Sequence, residues 1–125
     1  MPARARPLTP TCAPTDHGAT ASPLLAPSAR TADRAARILR AMGDPARVRL
    51  LAELAAGPRC VTELAQASGD GLPVVSQRLR VLRSEGLVQS QRDGKHVLYS
   101  LEDAHVLQLL VTVLAHAGED RIAAL

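Results

Sequence analysis

One tract, Val61 to Leu101, constrains the fold more than any other part of the chain. It opens with a short apolar-periodic run, Val61 to Ala67, in which Leu64 and Ala65 share a face and Thr62 is a candidate cap. Ser68-Gly69-Asp70-Gly71 then forces a turn. Pro73 stands where a first helical residue would, and Val75, Leu79 and Leu82 form a buried stripe that runs out near Gly86. Leu87 to Arg92 and His96 to Leu101 read as strands, with Asp93-Gly94 as a hairpin turn between them. A short helix, a Gly-containing turn, a second helix and an immediate hairpin make a helix-turn-helix with a wing. The combination is more specific than any one of its parts.

The rest of the chain is consistent with a mainly α fold around that unit. Residues 1–29 hold six of the nine prolines and read as a tail that buries too little apolar area to offset its ordering entropy. From Thr31, Ala35, Ile38, Leu39 and Met42 follow helical spacing up to Gly43. Asp44 can cap the next helix, with Pro45 at its first position and Val48, Leu50, Leu51, Leu54 and Ala55 as its apolar stripe. Gly57-Pro58 ends it. A last helix is expected over roughly Asp103 to His116. Residues 30–125 therefore form one domain. With no Trp or Phe and one Tyr, its core must be aliphatic, and the same shortage argues against base-stacking platforms for single strands. No apolar run is long enough to span a bilayer. The first ten residues lack an apolar secretory core, and two cysteines are too few for a disulfide scaffold, so a cytoplasmic protein with reduced thiols is expected.

Charge is partitioned. Residues 73–99 carry Arg78, Arg80, Arg83, Arg92 and Lys95 against Glu85 and Asp93. Residues 100–125 carry only Arg121 against Glu102, Asp103, Glu119 and Asp120. A polyanion suits the first segment and a cation the second. On the second helix of the motif, the positions left outside the buried stripe are Ser76, Gln77, Arg80 and Arg83, whose side chains suit base edges. Arg78 lies between the two faces, within reach of a phosphate. Arg92, Lys95 and His96 flank the hairpin tip, where phosphate or minor-groove contacts position a protein on duplex DNA.

The acidic end carries Asp103, His105, His116 and Glu119. Eleven residues separate the two histidines, which returns them to nearly one helical face but about 16 Å apart along the axis. One helix cannot bring both to a single metal ion with bonds of about 2 Å. Two antiparallel copies can: Asp103 and His105 of one chain meet His116 and Glu119 of the other, twice by symmetry, with Leu109, Leu110 and Val113 as the seam. Two nitrogens and two oxygens suit zinc or cobalt. The plainer alternative is two histidines packed at a dimer seam, with Asp103 as a helix cap. A second set is Cys60 and Glu63, three apart on one helix face, which Cys12 and His17 of the tail would complete; its thiolates favour zinc, cadmium or lead. There the alternative is a buried apolar Cys60.

These segments resemble the ArsR/SmtB family of metal-responsive repressors. The likeness runs from about Asp33 to Glu119 through "GDPARVRLLAELAAGPRCVTELAQASG", "VVSQRLRVLRSEGLV", "RDGKHVLYSLEDAH" and "AHAGE". It implies a winged-helix homodimer, paired through its terminal helices, that binds double-stranded operator DNA without metal and releases it when metal binds. Asp103, His105, His116 and Glu119 match the C-terminal motif of the family's zinc-sensing members in type and spacing. Cys60 and Glu63 match its other site, with Cys12 and His17 compatible. Thr62 replaces the second cysteine of a Cys-x-Cys pair, which argues against arsenic or antimony. Gln77 and Arg78 replace a common His-Gln pair. The expectation is a zinc-responsive repressor. The alternative is a relative that senses cobalt, nickel, cadmium, lead or thiol oxidation. No enzyme is expected, since there is no H-E-x-x-H and a fully protein-ligated metal leaves no position for water.

Overall fold

The computed structural model describes residues 25–119. They fall into two contact units, one ending at Arg34 and one beginning at Ala35. In the first, the Ser28 hydroxyl accepts the Thr31 backbone N–H in the opening turn of α1 (Ala29–Met42). In the second unit, α1 is followed by α2 (Pro45–Ala55), β1 (Arg59–Cys60), α3 (Val61–Ser68), α4 (Leu72–Ser84), β2 (Val88–Asp93), β3 (His96–Leu101) and α5 (Ala104–Ala117). The strands form one antiparallel sheet in the order β1-β3-β2.

The helix starts follow local chemistry. Asp44 lies in extended backbone and accepts the Arg47 N–H, with Pro45 opening α2, as the sequence indicates. Asp103 caps α5 in the same way through the Val106 N–H. Arg47 also donates to the Ala41 and Arg40 carbonyls, satisfying orphan acceptors at the end of α1 and fixing the α1–α2 corner. At α3 the cap is Cys60, not Thr62: the Cys60 N–H donates to Glu63 Oε1 at 3.0 Å, in a capping-box arrangement where sulfur stands for the usual hydroxyl. Thr62 is already inside the helix.

The α4–β2 corner is a Schellman turn. Leu87 N–H donates to the Leu82 carbonyl and Gly86 N–H to that of Arg83, with Gly86 at φ 73°. The motif's apolar contact falls between Leu82 and Leu87, both fully buried. The second helix is thereby joined rigidly to the wing. At the tip, Asp93 pairs with His96, so the two turn residues are Gly94 and Lys95 rather than Asp93 and Gly94. Only Gly94 has positive φ, the pattern of a type II′ connection.

The core is aliphatic throughout: Leu51, Leu64, Val75, Leu79, Leu82, Leu87, Val88 and Leu110 are fully buried, with no buried polar side chain among the described residues. Tyr99 packs against its edge. Three expectations change. Ala35, Leu39 and Ala55 are exposed, so the α1 and α2 stripes are narrower than their spacing suggests. β1 has no counterpart in the sequence reading; two residues are too few to show a period. Leu110 belongs to the core of its own chain, so it cannot form a seam between copies.

Candidate nucleic-acid interface and metal-ligand ends

α3 and α4 present the expected helix-turn-helix. Val75, Leu79 and Leu82 face inward. Gln77, Arg80 and Arg83 are exposed and Ser76 is half-buried, so all four lie outside the core stripe as expected. Arg80 donates to Gln77 Oε1 at 2.7 Å, which couples the two exposed side chains. Arg78 instead reaches back across the turn to Asp70 at 2.6 Å. That charge-assisted bond ties the turn to α4 and engages Arg78 within the motif. Arg92, Lys95 and His96 are exposed around the wing tip. The cations of α4 and the wing thus lie on connected elements, and the short hairpin keeps those of the wing together.

Sequence reasoning passed over the first turn of α4. Leu72 and Val74 are 47% and 46% exposed although both are large and apolar. The core stripe has no use for them, and only a projection of the helix around Val75 would have shown it. The N-cap there is Gly71, which supplies no side-chain acceptor.

α5 carries the other candidate residues at its two ends. His105 Nδ1 lies 3.9 Å from Asp103 Oδ1, and His116 Nδ1 lies 3.9 Å from Glu119 Oε1. Each pair is one imidazole and one carboxylate, open to solvent. The two pairs remain a helix length apart, and no group of three or more metal-type donors comes together among the described residues. Between them, α5 has only two other polar residues, Gln108 and Thr112, which bond to each other at 3.3 Å. At 100° per residue, His105, Gln108, Thr112 and His116 form one narrow polar line. The rest of the helix is apolar, but only Val106 and Leu110 are buried; Leu107, Val111, Val113 and Leu114 remain exposed. A helix apolar on this much of its circumference ordinarily has cover on more than one side.

Cys60 and Glu63 are brought together at the start of α3. The Cys60 backbone N–H, then the Cys60 side chain, hold the Glu63 carboxyl below its ordinary range, with smaller contributions from Arg59 and His96. Cys12 and His17 lie outside the described residues.

A helix-turn-helix joined to an antiparallel wing, with cations on both, defines the winged-helix class of nucleic-acid-binding fold. The profile described as "Bacterial regulatory protein, arsR family" matches residues 44–90, from the α2 cap to the middle of β2. The HTH-type transcriptional repressor SmtB of Mycobacterium tuberculosis is 41% identical over 90 residues, covering 72% of this chain and 67% of the relative. The HTH-type transcriptional regulator NmtR of the same organism is 43% identical over 88 residues, covering 70% and 73%. Among solved structures, the homodimeric winged helix-turn-helix DNA-binding domain of a possible ArsR-family regulator from Mycobacterium bovis superposes with a TM-score of 0.67 at 34% identity, covering 73% of this chain and 87% of that one. The chain belongs to the ArsR/SmtB family of DNA-binding transcriptional repressors. The family is one of regulators rather than enzymes, and no helix among the described residues is long and apolar enough to cross a membrane.

Proposed function

We propose that the chain acts as a homodimeric repressor that binds operator DNA through α4 and the wing and releases it when zinc binds between the α5 helices. The observation that carries this reading is the pair of half-sets on α5. Asp103 with His105, and His116 with Glu119, each offer one nitrogen and one carboxylate, too few alone and at opposite ends of one helix. Antiparallel pairing would set Asp103 and His105 against His116 and Glu119 of the partner subunit. Each N2O2 set then suits a tetrahedral divalent cation, zinc ahead of cobalt or nickel. Asp103 keeps its capping bond to Val106 N–H in such an arrangement, since a carboxylate has lone pairs for both. Exposed Val111 and Val113 flank the polar line, about 100° away on either side, where pairing would bury part of each.

Gln77 and Arg80, already bonded to each other, would reach base edges, with Ser76 and Arg83 beside them. Arg92, Lys95 and His96 would hold phosphates. When bound, the metal supplies a fixed link between two helices. Its effect on DNA equals the difference in metal affinity between the two dimer states, typically about 1–3 kcal/mol. The proximity of Cys60 to Glu63 supports a second reading, in which a thiolate site completed by Cys12 and His17, or oxidation of Cys60, is the signal. Cadmium or lead would be preferred there.

Fluorescence anisotropy on a duplex from upstream of the chain's own gene tests this. At fixed salt the apo protein should bind and zinc should dissociate it. His105→Ala and His116→Ala should bind equally well and ignore zinc. Release by zinc in both variants would refute the α5 assignment, and loss of response in Cys60→Ser alone would favour the second reading.

A further inference from the structure

We propose that Leu72 and Val74 recognise thymine methyl groups, so that they, and not only the polar residues of α4, set which operator is read. The inference rests on the DNA-binding reading above. Both residues lie in the first turn of α4, the end that a helix of this motif sends deepest into the major groove. Around the helix they bracket Pro73, Ser76, Gln77 and Arg80, with Leu72 in line with Ser76 and Arg80 at four-residue spacing. Each is about half exposed, and the core is complete without them.

Two half-exposed apolar side chains at this place would gain from an apolar partner. The surface beside them carries Arg80 and Arg83, with Arg92 and Lys95 on the wing, which suits a polyanion better than an apolar protein face. Within the major groove of a duplex, the 5-methyl of thymine is the one apolar group on a base edge. Leu72 and Val74 offer no hydrogen bond of their own, so they would add selectivity for thymine without adding phosphate contacts. Gly71 helps: with no side chain at the cap, the helix end stays narrow.

The test uses the full-length protein without metal and one upstream duplex amplified either with thymidine or with deoxyuridine throughout, which removes only the methyl groups. Burying one methyl is worth about fourfold in affinity, so one contact in each half-site predicts about 15-fold weaker binding to the uracil duplex. The double variant Leu72→Ala/Val74→Ala should bind the thymine duplex more weakly by a similar factor and bind both duplexes within about twofold of each other, as expected for coupled partners. Equal binding of both duplexes by the unmodified protein would overturn the proposal. So would a double variant that still discriminates as the parent does, because the methyl effect would then act through duplex shape. Failure to bind either duplex would overturn the repressor reading itself, and this proposal with it.

Discussion

Leu110 and Val111 are neighbours in sequence with opposite surroundings, and truncating each separates the fold from the dimer. Leu110 is 1% exposed within its own chain and Val111 is 51% exposed. Leu110→Ala opens a cavity among core leucines and should cost about 2–5 kcal/mol of folding stability. With a urea slope of about 1–3 kcal/mol per molar, the unfolding midpoint should fall by about 1 M or more. Val111→Ala removes two methyl groups that are half in water in a single copy. About 0.8 kcal/mol per copy is then available only on pairing, and a two-fold interface counts it twice. Dimer dissociation should strengthen about 15-fold, while stability of the single chain changes little because alanine is the better helix former. Sedimentation equilibrium over a concentration series gives the first quantity, and urea melts below the dissociation constant give the second. If Val111→Ala left dimerisation unchanged within twofold while Leu110→Ala weakened it without lowering the midpoint, the seam would have been placed on the wrong side of α5.

Three further outcomes follow from the described contacts. Gly86→Ala puts a Cβ in the left-handed region and should destabilise the protein by about 1–2 kcal/mol in thermal melts, since Gly86 alone closes the α4–β2 turn. Lys95→Ala should weaken duplex binding equally for all sequences and reduce the log–log salt slope by about one, whereas Arg80→Ala should cost about 1–3 kcal/mol on the specific operator only. The α3 cap should fade in acid. Glu63 has its carboxyl lowered by the Cys60 N–H, so its contribution is complete above the ordinary carboxyl range and lost as pH falls through the lowered folded value. Glu63→Gln should flatten that part of a stability–pH profile, with the midpoint of thermal unfolding as the readout.

The helices, the wing and the aliphatic core were legible because each has a local cause: Asp44 and Asp103 as caps, Pro45 at an opening turn, Gly86 at a closing one, and Val75, Leu79 and Leu82 at one period. The candidate DNA residues were placed correctly outside the core for the same reason. What escaped the sequence depended on contacts between distant segments. Leu110 reads like Leu109 or Val113 until packing shows which side of α5 the core occupies. Arg78 reads as another groove cation until Asp70 is seen beside it. Cys60 displaced Thr62 as a cap because the preceding backbone is held extended by pairing with β3, which no helical pattern announces.

That pairing is only two residues long, yet it decides what the wing is fastened to. Cys60 lies opposite Leu98, and Arg59 opposite Tyr99, on the central strand. Leu98 is two residues from His96, about 7 Å along the strand, and the turn follows at once. β3 is therefore a crossbar with α3 bolted to its side and the hairpin tip at its free end. The head of α3 and the hairpin tip therefore share one strand, and the path between them runs along β3.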